Sequence, residues 1–377
     1  MESLLNSSRA TKDQKLTLNN LGLHEIPDLH EFTWVTELNL NNNMIITIEK
    51  DRLPPNLILF EICNNKIETV LASDFPDKIK ELNITNNKIK EFKGESLTNL
   101  TDLHFGLNEL TEFTFPPNII NLDVKRNLLT SLPPFPDFLK VIDCSDNKFE
   151  ELPIVNKTLE KIDFSSNIVA KFPLFQENVI FINGSNNHVD RIFLLPSGLE
   201  EFSIKDNRLT DIYCEFPASL KMLDLADNLL EDIPDLPLNI ETVDLANNRL
   251  PKIKNIPENI KKLILSNNCL TVDPRITNKN KEIVCDGNYF NNIDSDDDAL
   301  DPEKLWLPDK SGSEFNYKPY GGKGYKSGKH TTYTGYNYYG SNYSPNYSYY
   351  SYSAVNTKAK KSNPNYISIN NKKKVTV

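Results

Sequence analysis

The chain has 377 residues, 38% of them hydrophobic, and a mean hydropathy of -0.46, so part of it is too polar to pack into a core. No stretch approaches the roughly 20 apolar residues that span a bilayer, which argues against an integral membrane protein. Residues 1–15 lack the pattern of a secretory signal, and five cysteines without a CxxC pair disfavour a disulfide scaffold or zinc ribbon. We therefore expect an intracellular, cytoplasmic protein.

Charge is divided unevenly along the chain. Residues 311–377 hold ten lysines and one glutamate, or +9, which leaves -19 for residues 1–310 given the total of -10. Because contacts to phosphate need a cationic face, we do not expect the acidic body to bind nucleic acid. A basic partner suits it better.

One pattern recurs from the N-terminus to residue 270. It consists of an apolar residue, two residues of any type, an apolar residue, one of any type, an apolar residue, two of any type, Asn, one of any type and a last apolar residue. Gly184 once takes an apolar place. Residues 1–33 are predicted to be an N-terminal cap with a degenerate first copy, in which Leu21 replaces the Asn, and residues 34–274 hold twelve full copies. The apolar–free–apolar step has the period of two that indicates a short strand with one buried face.

The copies cannot fold singly, because four or five apolar positions in about 20 residues do not make a core, so they must stack. The short period leaves little room for a helix on the outer side, and proline restricts that side further by removing an N–H and fixing φ. Extended or polyproline backbone is predicted there, with room for 3₁₀ turns in the early copies, which are the longest. The prolines three residues before a strand register are Pro54, Pro76, Pro116, Pro136, Pro196, Pro217, Pro237 and Pro257.

The twelve copies resemble the leucine-rich-repeat family over roughly residues 13–274, and the segments IPDLPLNI and LPPFPDFL are similar to its short bacterial-effector class. The resemblance implies an α/β-class horseshoe solenoid, mostly β with little helix, whose concave sheet is the usual binding face. It also implies a structural role for the Asn residues, and one amide can satisfy both donors and acceptors in a buried turn. This ladder comprises Asn43, Asn65, Asn87, Asn108, Asn127, Asn147, Asn167, Asn187, Asn207, Asn228, Asn248 and Asn268.

The residue that follows the central apolar residue of each predicted strand points onto the concave sheet. Five of these residues are aspartates: Asp123, Asp143, Asp163, Asp224 and Asp244. Stacked strands lie about 4.8 Å apart, so a cationic partner would relieve repulsion among these carboxylates. Alternatively, Lys125 and Lys161 partly neutralise them, or the carboxylates are simply solvated. Two positions earlier in its copy, Phe181 is a candidate apolar anchor for a partner, or one of the exposed hydrophobic residues that are normal on surfaces.

Residues with catalytic or metal-binding chemistry are sparse. The five histidines are isolated, and no metalloprotease, hydrolase, dinucleotide-binding or P-loop motif is present. The DSDDD run at 294–298 lacks the Gly and Glu of a calcium loop, so residues 275–310 are interpreted as a C-terminal cap and acidic linker. We expect no metal, no cofactor and no enzymatic activity.

Composition changes abruptly at residue 311. Residues 311–377 hold 13 of the 15 tyrosines, with Gly, Ser, Asn and Lys between them. Such low-complexity sequence lacks the branched aliphatic residues of a core, so a disordered tail is predicted. A plain tether is the simplest role, and weak self-association, tyrosine modification or weak binding of single-stranded nucleic acid stay open.

Three functional hypotheses follow. The leading one is a non-enzymatic scaffold that holds a basic protein partner on the concave sheet, without a membrane or nucleic-acid partner for the body. The second is an effector-like adaptor in ubiquitin transfer without its own ligase domain, since some similar bacterial proteins fuse such repeats to a ligase. The third is a structural or particle-associated protein that assembles through the Tyr-rich tail.

Overall fold

The computed structural model describes residues 1–276 and 282–290, together with a two-residue strand at Tyr350–Ser351. The predicted acidic linker and, apart from that strand, the predicted disordered tail lie outside the described residues. Helical segments are short: an α-helix, α1, spans Glu2–Thr11, and 3₁₀ turns span Lys50–Arg52, Ala72–Asp74 and Pro274–Ile276.

Strands recur once or twice in each coil. In chain order they are β1 (Lys15–Thr17), β2 (Glu37–Asn39), β3 (Leu59–Glu61), β4 (Glu81–Asn83), β5 (Glu91–Lys93), β6 (Asp102–His104), β7 (Glu112–Thr114), β8 (Asn121–Asp123), β9 (Val141–Asp143), β10 (Lys161–Asp163), β11 (Glu177–Asn178), β12 (Phe181–Asn183), β13 (Arg191–Ile192), β14 (Glu201–Ser203), β15 (Asp211–Ile212), β16 (Met222–Asp224), β17 (Thr242–Asp244), β18 (Lys262–Ile264), β19 (Glu282–Val284) and β20 (Tyr350–Ser351).

One parallel sheet runs the length of the solenoid. Its order is β1-β2-β3-β4-β6-β8-β9-β10-β12-β14-β16-β17-β18-β19, and neighbouring strands pair in register, so that Leu38 lies opposite Phe60. The middle residue of each strand is buried and its two neighbours face outward, as the period of two predicts. On the opposite, convex side, β5 pairs with β7 and β13 with β15, while β11 pairs with β20. The predicted solenoid, mostly β with little helix, is confirmed.

The early coils carry the 3₁₀ turns for which their greater length leaves room. Lys50–Arg52 lies between Asn43 and Asn65, and Ala72–Asp74 lies between Asn65 and Asn87. Helix α1 was not predicted from the sequence. This helix buries Leu5 at the N-terminal end of the core, and the indole Nε1 of Trp34 donates to its Ser8 hydroxyl at 3.3 Å. The helix therefore covers the first coil.

Eleven of the twelve ladder asparagines are buried and Asn147 is partly exposed, and they bind the backbone of their own and neighbouring coils. In a representative coil, Asn65 Oδ1 accepts the Ile45 N–H at 3.0 Å, while Nδ2 donates to the carbonyls of Leu40 and Ile62. Each amide thus satisfies groups that stacking removes from water. The ladder continues past residue 274: β19 adds a coil in which Asn288 Oδ1 accepts the Leu270 N–H at 3.0 Å.

The residue before each ladder asparagine has left-handed backbone, with φ near +55° in every coil from Asn42 to Asn267, and Asn20 before Leu21 shares it. Asparagine tolerates this conformation better than most residues and fills it in several coils. Leu107 and Arg126 occupy the same position at φ 57° and 52°. The turn geometry is therefore imposed by the stacking, and not by the residue type alone.

Candidate functional site

The concave surface is built from the first and third residues of the main-sheet strands. Because the strands pair in register, the third residues form one column across the sheet. Asp123, Asp143 and Asp163 follow one another in this column. Farther along, Asp224 of β16 lies opposite Asp244 of β17 in the strand register. The sequence-predicted aspartates therefore lie on one face, in two groups separated by Asn183 and Ser203.

Each aspartate of the column also caps its own turn. The Oδ1 atom accepts the backbone N–H two residues later, at 3.0 Å for Asp123, 3.1 Å for Asp143 and 2.9 Å for Asp163. The same bond is made by Asp224 and Asp244, and in other coils by asparagines such as Asn39. An Asx cap of this kind explains why Asp and Asn recur at this position. One carboxylate oxygen is thereby fixed in place.

Lysine partly neutralises the first two aspartates, as one of the sequence alternatives proposed. Lys125 Nζ lies 3.2 Å from Asp123 Oδ2 and 3.2 Å from Asp143 Oδ2, so it bridges two coils. Burial raises the pKa of Asp123, and the neighbouring Asp143 raises it further, while Lys125 opposes the shift. Burial lowers the pKa of Lys125, but the two carboxylates outweigh it and hold this pKa above its ordinary value.

Asp163 is not bridged in this way. Its Oδ1 accepts the Ser165 hydroxyl at 2.6 Å in addition to the Ser165 N–H, and its Oδ2 accepts the Asn183 amide at 2.8 Å. Burial, followed by repulsion from Asp143, raises the pKa of Asp163 to about 6, although the Ser165 and Asn183 bonds act in the opposite direction. Its carboxylate is therefore ionised at neutral pH, but burial and the neighbouring Asp143 destabilise the ionised form.

Asp224 and Asp244 make a second acidic group. Burial raises the pKa of Asp224, the Ala226 N–H lowers it, and Asp244 raises it again. Lys205 lies near them and is 3.4 Å from Asp227. The acidic residues at this end thus also have a lysine nearby, although its ion pair is with the turn residue Asp227.

Phe181 lies at the first position of β12 and is partly exposed on the concave face. Lys161 Nζ lies over its ring, 5.8 Å from the centroid. This lysine was considered as a counter-ion for the aspartate column. Burial lowers its pKa, and the carboxylates that oppose this shift are Glu201, Glu160 and Glu200. A flat aromatic face with a cation above it is compatible with an anchor position for a partner.

Glu160 was not among the residues predicted from the sequence, and its side chain is only 1% exposed. Its Oε1 lies 3.4 Å from Lys140 Nζ, and its Oε2 is buried without a hydrogen-bond partner. Burial raises the pKa of Glu160 to about 7, with Lys140 acting against the shift. The equivalent residue is at least partly exposed in most copies, so no local signal identified Glu160.

Among the described residues, no group of three or more His, Cys, Asp or Glu side chains could hold a metal ion. Within residues 1–276 and 282–290, no helix is long and apolar enough to cross a membrane.

The chain was compared with known proteins. No protein-family model matches it. Over 130 residues it is 30% identical to the leucine-rich repeat-containing G-protein coupled receptor 5 of Rattus norvegicus, and the match covers 31% of this chain and 14% of the receptor.

Solved structures give matches over more of the chain. YopM from Yersinia enterocolitica WA-314 superimposes with a TM-score of 0.60 at 25% identity, covering 72% of this chain and 64% of YopM. YopM of Yersinia pestis, described as a leucine-rich effector protein, gives a TM-score of 0.63 at 23% identity, covering 75% of this chain and 92% of that YopM chain. A chain of the LRIM1/APL1C complex gives a TM-score of 0.55 at 22% identity, covering 68% of this chain and 52% of that one. The chain thus spans less than two thirds of the receptor and of the Yersinia enterocolitica protein.

Proposed function

We propose that the concave sheet of this leucine-rich-repeat-like solenoid binds a protein partner, that the partner is basic, and that the chain acts as a non-enzymatic scaffold. The observation that carries the proposal is the column formed by Asp123, Asp143, Asp163, Asp224 and Asp244. These carboxylates share one face, on a body that carries -19.

The turn caps support this proposal as well as explaining the residue type. Asparagine makes the same cap at Asn39 and Asn183, so the cap by itself does not require a charge. Aspartate at this position instead adds desolvation and like-charge repulsion, which raise the pKa of Asp163 to about 6. A basic side chain lying between neighbouring carboxylates, as Lys125 already does at Asp123 and Asp143, would offset that cost.

Phe181 is proposed to act after the first encounter. It lies one coil beyond Asp163, on the same face, where Phe181 pairs with Lys161 across β10 and β12. Charges at long range chiefly accelerate association, whereas a buried aromatic anchor chiefly slows dissociation. The known structure of an LRIM1/APL1C complex is compatible with a protein-binding role for this fold.

The test begins with the intact chain as bait and with a triple variant, Asp123→Asn, Asp143→Asn and Asp163→Asn. Asparagine keeps the turn caps and removes three charges, so the fold is retained. For a partner recovered by the wild-type bait, the triple variant should slow association about tenfold at low salt, and the difference should shrink as salt rises. Phe181→Ala should instead accelerate dissociation.

A control variant separates local charge from net charge. Glu150→Gln, Glu151→Gln and Asp190→Asn remove three charges from exposed residues outside the main sheet. We expect this variant to associate at nearly the wild-type rate. Equal slowing by both triple variants would assign the effect to net charge, and unchanged rates for the column variant at every salt concentration would overturn the proposed site.

A further inference from the structure

The convex side carries an apolar stripe that the proposed concave site does not use. It consists of Ile154, Leu174, Phe193 and Tyr213, one residue from each of four consecutive coils, with 59% to 86% of each residue exposed. Ile154 and Leu174 lie seven positions after their ladder asparagines, and Phe193 and Tyr213 lie six positions after theirs. The stripe is thus a regular feature of this part of the solenoid.

The two aromatic members of the stripe are stacked. Their ring centroids lie 5.1 Å apart with an interplanar angle of 10°, and the Tyr213 N–H donates to the Ile192 carbonyl at 2.8 Å, which fixes the two coils together. The next two coils carry the exposed residues Asp235 and Lys254 at the corresponding places. Exposed apolar residues that recur in consecutive coils of a regular scaffold, two of them stacked, indicate a contact site.

We propose that the stripe is the docking site for the chain's own Tyr-rich segment, residues 311–377. That segment carries 13 tyrosines, whose rings suit an aromatic and aliphatic surface, and its charge of +9 complements the body. Exposed carboxylates of Glu150, Glu151 and Glu215 lie in the coils of the stripe. Tyrosine pairs an apolar ring with a polar hydroxyl, so it can cover the stripe without burying an unpaired polar group.

Chain length permits this contact. The last described residue of the body is Phe290, and the first tyrosine of the segment is Tyr317. A connecting chain of that length without regular structure would have an end-to-end distance of about 28 Å. From the coil of Asn288 back to the coil of Asn207 is four steps, or about 20 Å along the solenoid. Docking within one chain is therefore geometrically favoured over capture of a second copy at low concentration.

The convex side is preferred to the concave side for this segment because of its chemistry. The concave positions are mostly charged or amide side chains fixed by hydrogen bonds, whereas the stripe offers four exposed apolar side chains from consecutive coils. The concave sheet would stay open to another partner. The two proposals are therefore independent.

The experiment uses the full chain with a photo-crosslinking residue, p-benzoylphenylalanine, in place of Leu174. After irradiation and digestion, adducts should join position 174 to residues 311–377 within one chain, and their yield should not change on tenfold dilution. The double variant Phe193→Ser, Tyr213→Ser should lower that yield about tenfold, the effect of losing roughly 1.4 kcal/mol of docking free energy. Both replaced residues are exposed, so the melting temperature should stay close to wild type.

The matched control is Leu71→Ser, which removes a 64% exposed residue from an early coil outside the stripe and should leave the yield unchanged. Three outcomes would overturn the proposal. The first is adducts that form only between chains and grow with concentration, which would assign the stripe to a second copy. The second is crosslinking of the segment from a concave position such as Met222 but not from 174. The third is the same yield from a crosslinker at position 71.

Discussion

Replacing Asp163 by asparagine tests how much an ionised carboxylate in the acidic column lowers the free energy of unfolding. The variant keeps an oxygen for the Ser165 N–H and hydroxyl, which lie 2.9 Å and 2.6 Å from Oδ1, and loses the bond from the Asn183 amide. It also removes a carboxylate whose pKa burial and Asp143 raise to about 6. The lost hydrogen bond lowers the free energy of unfolding by the same amount at every pH. The effect of removing the ionisable carboxylate changes with pH.

The sign of the pH dependence follows from proton binding. An acid whose pKa is higher in the folded than in the unfolded chain binds protons more tightly when folded. Its contribution to stability is therefore greatest below about pH 4, falls as pH rises toward 6, and is lost above about pH 7. A pKa of about 6 against the ordinary 3.9 sets a ceiling of about 3 kcal/mol. Because the carboxylate is partly exposed, we expect about 1–2 kcal/mol.

The assay is urea unfolding of wild type and Asp163→Asn at pH 4.5 and 7.5, followed by circular dichroism. The free energy of unfolding of the variant, taken relative to wild type, should rise by about 1–2 kcal/mol from pH 4.5 to pH 7.5. Glu160, whose pKa is also raised, is present in both proteins and cancels in the difference. As a control, Asp232→Asn should show almost no change in its difference from wild type between these pH values, because the bond from Lys254 lowers the pKa of Asp232 and its titration then lies below pH 4.5. A difference between wild type and Asp163→Asn that is the same at both pH values would refute the reasoning.

Three further predictions concern packing and backbone strain, all measured by chemical unfolding. Leu225→Ala should cost about 2–5 kcal/mol, since Leu225 is fully buried; a loss below about 0.5 kcal/mol would contradict the strand register. Gly184→Ala should cost about 1–3 kcal/mol although other coils carry large apolar residues there, because a Cβ would meet the Phe164 ring and lie 2.7 Å from Ile204 Cδ1; an unchanged midpoint would show that Phe164 can move. Leu107→Asn should stabilise the protein by about 0.5–1 kcal/mol, because φ is 57° there and asparagine adopts that conformation more readily; a destabilised variant would show that the Leu107 side chain contributes packing.

Much of the architecture could be read from the sequence. The short repeat period and the apolar–free–apolar step predicted stacked coils, short strands with one buried face and the buried position of residues such as Leu38 and Leu225. The greater length of the early copies left room for the 3₁₀ turns that lie at Lys50–Arg52 and Ala72–Asp74. These features are local or strictly periodic, so one copy is enough to place the others.

The chemistry of the concave face needed the tertiary structure. From sequence, Asp143 was an outward carboxylate with Lys125 and Lys161 as candidate counter-ions. In the folded chain one oxygen caps the Ser145 N–H and the other pairs with Lys125, not Lys161, from the preceding coil. Likewise, Glu160 became a buried acid and Phe193 met Tyr213 in a stack only through the packing of neighbouring coils. A repeat pattern determines which way each side chain points, but its partners come from the coils on either side. The side-chain lengths and charges in those coils vary from copy to copy, so only the stacked structure decides which contacts form.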